Sequence, residues 1–142
     1  MAVNKTITIN APVSQIWHTL TTPELMKDWL FDTPIYVASD WRAGSPITFS
    51  GHWYKKPYQD KGTILEIEPE KTLRYKYLSH LSKLADSPEN YTEVQFTLQP
   101  SGEQTILNLT HSNFILSTMY SHSNFYWLLT LDRLKKLIEK HD

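Results

Sequence analysis

The 142-residue sequence has no cysteine, which excludes disulfides, thiolate zinc sites, iron–sulfur clusters and a cysteine nucleophile together. It also lacks an excess of either charge: 14 Lys and Arg stand against 15 Asp and Glu, a formal net charge of −1. No global field therefore draws the chain to nucleic acid or anionic lipid. Nowhere do 18 apolar residues follow one another, and residues 1–10 hold no apolar stretch of signal-peptide length. The expectation is a cytoplasmic protein that neither enters a membrane nor binds nucleic acid. The motifs of common enzymes are missing as well: there is no G-x-S-x-G, no P-loop and no G-x-G-x-x-G. The six histidines, at 18, 52, 80, 111, 122 and 141, include no pair three or four apart, so a helical metal site is not expected. No motif implies a cofactor. What is abundant is aromatic: 13% of the residues, with five Trp and eight Tyr.

Eight prolines punctuate the chain between apolar segments, where a missing amide does least harm. Before the first of them, Val3, Lys5, Ile7 and Ile9 alternate with Asn4, Thr6 and Thr8, the period of a strand. After Pro12 the period lengthens. Val13, Ile16, Trp17 and Leu20 recur at helical spacing, with Ser14, Gln15 and Thr19 on the outer side. Thr22-Pro23-Glu24 then predicts a second short helix, with a capping hydroxyl, Pro at the first helical position and an acid near the positive end. That helix carries Leu25, Met26, Trp29 and Leu30.

From Pro34 to His111 the period is two. Strands are predicted over Ile35 to Trp41, around Ile47, Phe49, Gly51 and Trp53, and around Thr63, Leu65 and Ile67. Leu73, Tyr75 and Tyr77 share a face in the next strand, and Thr92, Val94, Phe96 and Leu98 in the one after it. Pro100-Ser101-Gly102 is a hairpin turn, followed by Thr105, Leu107, Leu109 and His111. Six consecutive strands, apolar on one face and polar on the other, make an antiparallel sheet with one dry side. Its cover is a C-terminal helix carrying Phe125, Trp127, Leu128, Leu131, Leu134, Leu137 and Ile138, with Lys135, Lys136 and Lys140 near the negative end. Counted from a cap at Ser121 or Ser123, it runs about 17 residues and about 26 Å, the length of an eight-residue strand. Ser112 to Asn124, rich in Ser, Thr and Asn, reads as a cap-and-loop segment.

This order of strand, two short helices, six strands and long helix resembles the helix-grip fold of the START-like (SRPBCC) superfamily, which includes the birch-pollen allergen, polyketide cyclases and lipid-transfer domains. Within it the sequence is most similar to the bacterial family resembling the activator of the heat-shock-protein-90 ATPase. The matching pieces are Ile9-Asn10-Ala11-Pro12 with Ile16-Trp17, Leu20 to Leu25, Trp29, Asp40-Trp41-Arg42-Ala43-Gly44, Gly62 to Glu70 with Leu73, and Thr110-His111-Ser112. They span the chain in the family's order. Gly44-Ser45 stands where a glycine pair is frequent, and Asn124-Phe125-Tyr126-Trp127 replaces a frequent Gly-Trp at the last helix. The resemblance implies an α+β helix-grip domain over residues 1–142 whose sheet and long helix enclose a cavity for a hydrophobic molecule.

By strand parity and position, the residues expected to line that cavity are Trp29, Phe49, Trp53, Tyr75, Tyr77, Phe96, His111, Tyr120 and Trp127. A hydroxyl, imidazole or indole N–H on a dry face needs a partner, since leaving it unpaired costs roughly 1–3 kcal/mol. Convergent polar tips in an apolar pocket are how small molecules are oriented, a role assigned here to Tyr75, Tyr77 and His111. The expected partner is thus a small apolar or amphipathic molecule. Two alternatives stay open. His111 and Tyr77 could work as base and acid in a cyclase- or hydrolase-like reaction. Alternatively the core is filled and the chain docks on a chaperone or other protein, for which the Tyr54-Lys55-Lys56-Pro57-Tyr58 loop with Lys61 is the obvious patch.

Overall fold

The β-branched alternation of Ala2–Ile9 forms β1, with Val3 and Ile9 buried. A computed structural model describes every residue of the chain except Asp32, His141 and Asp142, and at Trp53 the backbone without the side chain. After β1, Pro12 starts α1 (Val13–Thr21) and Pro23 starts α2 (Pro23–Met26). The Thr22 hydroxyl between them does not cap α2. It meets His18 Nδ1 at 3.1 Å instead, so the expected cap is absent. Thr19 is buried and not on the outer side, its hydroxyl donating to Gln15 O at 2.9 Å.

The remaining strands are β2 (Ile35–Ser39), β3 (Pro46–Trp53), β4 (Lys56–Glu68), β5 (Thr72–Leu78), β6 (Thr92–Ser101) and β7 (Gln104–Ser112). They join β1 in one antiparallel sheet of order β1-β7-β6-β5-β4-β3-β2. Two 3₁₀ turns, His80–Ser82 and Pro88–Asn90, lie in the β5–β6 connection. Helix α3 (Ser117–Glu139) closes the α+β helix-grip architecture that the element order predicts.

Helix α2 stops at Met26, so Trp29 and Leu30, expected on it, lie in the turn that follows. Three further boundaries and the parity of one strand differ from the sequence reading. Strand β2 stops at Ser39 and not Trp41, because Trp41 takes a left-handed φ of 55° and its amide donates to Ser39 Oγ at 3.0 Å. Strand β4 starts at Lys56, so most of the expected lysine loop is strand. A two-residue turn, Tyr54 and Lys55, joins it to β3, with both residues at positive φ (50° and 68°) as the twist of a tight hairpin demands. A register shift between Ile64 and Glu66 reverses the parity of β4 at Leu65. The buried residues are therefore Asp60, Gly62 and Ile64, whereas Leu65 is only half-buried. Helix α3 begins at Ser117, so Met119 and Tyr120 lie in its first turns and not in a loop.

Gly62 is required where it stands. A Cβ there would lie 1.7 Å from the Lys76 carbonyl oxygen on β5, so this strand pair closes only around a hydrogen. The C-terminal half of α3 is fastened to β1: Lys135 Nζ donates to Thr8 O at 2.8 Å, and Asn10 N donates to Glu139 Oε2 at 2.8 Å. Trp127, Leu131, Leu134 and Ile138 drive this contact at helical spacing, burying their side chains on the dry face of the sheet. The buried positions of α3 begin only at Trp127, and its earlier turns border an open space above the sheet. No helix among the described residues is long and apolar enough to cross a membrane.

Candidate functional site

A cavity of about 610 Å³ lies between the sheet and the N-terminal half of α3. Its floor comes from β3, β5 and β6, where unbroken alternation puts Phe49, Tyr75, Tyr77 and Val94 on the dry face. Its roof is Phe125, Tyr126, Trp127 and Leu129 of α3, and Phe31 enters from the segment after α2. The rings brace one another. Phe49 lies 5.9 Å from Tyr75, 5.6 Å from Tyr77 and 6.4 Å from Phe31, the last two edge-to-face. Tyr126 packs on Phe31 and Trp127, and its hydroxyl donates to Leu30 O. Leu81, Phe125 and Leu129 both line the cavity and are exposed, which makes its rim apolar.

Two polar assemblies face this space. In the first, the Trp127 indole N–H donates to His111 Nδ1 at 3.0 Å. An indole nitrogen can only donate, so the imidazole proton sits on Nε2, which meets Thr92 Oγ1 at 2.8 Å. Thr92 in turn donates to Tyr77 O at 3.1 Å. Both nitrogens of His111 are therefore occupied, and burial lowers its pKa to about 4. It is held as a neutral imidazole, with no lone pair to spare for a proton from a bound molecule.

The second assembly was not foreseen from the sequence. Asp60 on β4 is only 1% exposed, and three donors converge on its carboxylate. His80 N and His80 Nδ1 reach Oδ1 at 2.8 and 2.7 Å, and the Tyr77 hydroxyl reaches Oδ2 at 2.5 Å. Burial, and then the adjoining Asp60 charge, push the Tyr77 phenol well above its ordinary pKa. Tyr58 stacks on the His80 ring, with centroids 4.1 Å apart and planes 15° from parallel. Tyr58, Asp60, Tyr77 and His80 all line the cavity.

Of the nine residues expected to line the cavity, the structure brings Phe49, Tyr75, Tyr77, His111 and Trp127 together around it. Trp29 and Phe96 lie in the adjoining core, edge-to-face at 6.3 Å, with the Trp29 indole donating to Thr19 O at 3.1 Å. Tyr120 packs edge-to-face at 5.8 Å on Phe114, which is itself in the cavity wall. The Trp53 side chain lies outside the described residues. Arg133, also in the wall, is turned to protein acceptors, donating to Trp29 O at 3.2 Å and Thr130 Oγ1 at 3.0 Å. Among the described residues no three His, Asp or Glu side chains converge as a metal site needs.

A seven-stranded antiparallel sheet gripping one long helix, with an aromatic cavity between them, defines the helix-grip class. The chain belongs to the family described as activator of Hsp90 ATPase homolog 1-like protein, which it matches over residues 10–139. Among solved structures it is similar to ChR145 of Cytophaga hutchinsonii, at 35% identity over 99% of this chain and 95% of that one, with a TM-score of 0.85. It also resembles the Aha1 dimer of Colwellia psychrerythraea, at 25% identity over 98% and 96% of the chains and a TM-score of 0.76. CalU16 of Micromonospora echinospora shares the fold, at 24% identity, 96% and 73% coverage and a TM-score of 0.76. No curated protein matches the sequence.

Proposed function

We propose that this protein is a single helix-grip domain that holds a small hydrophobic or amphipathic molecule between its sheet and α3. The observation that supports this reading best is the cavity itself, about 610 Å³ of space walled by aromatic rings and reached past an apolar rim. A space of that size lies within the range of small-molecule sites, and its few convergent polar tips suit orientation of a ligand. Affinity would come from burial of apolar surface, at about 25 cal/mol per Å². Phe49, Tyr75, Tyr77, His111 and Trp127 are the proposed contacts. Tyr120 acts at one remove through Phe114, and Trp29 and Phe96 from the supporting core. In this reading the cytoplasm is its compartment.

Native mass spectrometry of freshly purified protein, followed by denaturing extraction of the same sample, tests the proposal. A discrete added mass, or thermal stabilisation by members of a lipid and aromatic panel, is expected. A clean apo mass with no stabilisation across that panel would overturn it.

Docking on a chaperone-type partner is the second reading, favoured by the family and by the exposed Tyr54-Lys55-Lys56 tip of the β3–β4 hairpin. Capture of such a partner that survives cavity substitutions and fails in Lys55→Glu/Lys56→Glu would establish it. The acid–base reading has least support, because His111 is occupied on both sides and the Tyr77 hydroxyl is committed to Asp60.

A further inference from the structure

We propose that the Tyr75 hydroxyl is the donor that orients the bound molecule, and that this molecule is mostly apolar and carries a carbonyl oxygen to receive it. This rests on the ligand-holding reading above and adds to it the chemical class of the ligand.

Most donors on the aromatic residues of the wall are already spent on the protein. The Tyr77 hydroxyl donates to Asp60, the Tyr126 hydroxyl to Leu30 O, and the Trp127 indole to His111 Nδ1. His111 Nε2–H is spent on Thr92 Oγ1, and the Thr92 hydroxyl on Tyr77 O. Tyr75 differs because of where β5 sets it. Across the sheet it pairs with Ile64 on β4 and Val94 on β6, both buried and neither with a polar side chain, and its ring lies against Phe49. Among the described residues its hydroxyl meets no hydrogen-bond partner. That oxygen is nonetheless not shut away, because the one unpartnered side-chain N or O closed off from solvent is His80 Nε2. On a residue that is 4% exposed and lines the cavity, the opening is to the cavity. Burial also raises the phenol's pKa, so it stays protonated and able to donate. A phenol donates better than it accepts, since the ring draws on its oxygen lone pairs, and a carbonyl oxygen, with lone pairs and no hydrogen, is its complement. A wholly apolar molecule filling this space would leave the hydroxyl dry and unpaired, and a single carbonyl oxygen removes that cost.

The test uses two probes of nearly equal shape, 2-acetylnaphthalene and 2-isopropenylnaphthalene, which differ in C=O against C=CH2, with dissociation constants from equilibrium dialysis. In each protein the ratio of the alkene's Kd to the ketone's measures the value of the carbonyl oxygen. Tyr75→Phe removes one oxygen atom from the wall, and whatever else it does to the wall acts on both probes and leaves the ratio. We expect the ratio to fall about tenfold in that variant. The carbonyl stretch of the bound ¹³C=O-labelled ketone, read by difference infrared spectroscopy, should lie at lower frequency in the wild-type protein than in Tyr75→Phe, where the carbonyl has lost its donor. A ratio unchanged by the substitution, or a stretch at the same frequency in both proteins, would overturn the proposal while leaving the cavity reading intact. So would a natural passenger that lacks a carbonyl oxygen. Failure of both probes to bind a protein that yields no passenger mass and is stabilised by no member of the lipid and aromatic panel would overturn the cavity reading, and this inference with it.

Discussion

His111 and His80 line the same cavity in opposite states of satisfaction. His111 is bonded on both nitrogens, between the Trp127 indole and the Thr92 hydroxyl, inside a chain that ends on the Tyr77 carbonyl. His80 is bonded on one, to a carboxylate that already has two other donors, and its second nitrogen has no partner. A closed imidazole works as a tie between strands β6 and β7 and helix α3, and its contribution is stability. An open one contributes less, because the desolvation cost of its partnerless nitrogen is offset by no hydrogen bond at that atom. The difference teaches that a histidine's place on the dry face does not by itself make it a binding group.

The sharpest way to break this comparison is to remove the closed imidazole. His111→Leu strips the partners from a buried indole N–H and a buried hydroxyl, and we expect a loss of about 3 kcal/mol of unfolding free energy. Urea denaturation at pH 7 reads it. A loss below about 1 kcal/mol would mean that the chain from Trp127 to Thr92 is not the tie described.

Acidification probes the same group without substitution. The unfolded imidazole takes up a proton near its ordinary pKa of 6.5, whereas the folded one resists until about 4. Between those values the unfolded chain binds more protons, so stability is fully present above about pH 6.5 and drains away as pH falls toward 4. By pH 5 this one group should cost about 2 kcal/mol relative to pH 8. The difference between wild type and His111→Gln, followed across that range, isolates it. Equal slopes in the two proteins would contradict a buried neutral His111.

Tyr77→Phe acts on the other assembly. It removes one of three donors from a buried carboxylate but leaves both His80 bonds, so a loss of about 1.5 kcal/mol is expected by denaturation. The two assemblies differ in legibility for the same structural reason that they differ in role. Tyr75, Tyr77, Phe96 and His111 sit where the period of two holds along their strands, which in β5 is as far as Tyr77, so alternation alone puts them on the dry face. Asp60 lies beyond the bulge at Leu65. Counting inward residues back from Ile67 through Leu65 and Thr63 therefore selects the wrong face for the first half of β4. A carboxylate with no visible partner also reads as surface, and its partner His80 lies 20 residues away in an irregular connection. The early start of α3 escaped for a different reason. Ser117 to Asn124 is poor in helix formers, yet Met119 and Tyr120 are half-buried there, and such packing outweighs intrinsic propensity.

The smallest expected effect draws the comparison most finely. His80→Asn keeps a donor for Asp60 and deletes only the unpartnered nitrogen and the stack on Tyr58. The lost stack and the removed desolvation cost oppose each other, so the apo protein should change by less than about 1 kcal/mol, against about 3 for His111→Leu. Urea denaturation of the two variants side by side reads the difference, and a loss for His80→Asn as large as that for His111→Leu would make the His80 imidazole as much a structural tie as that of His111.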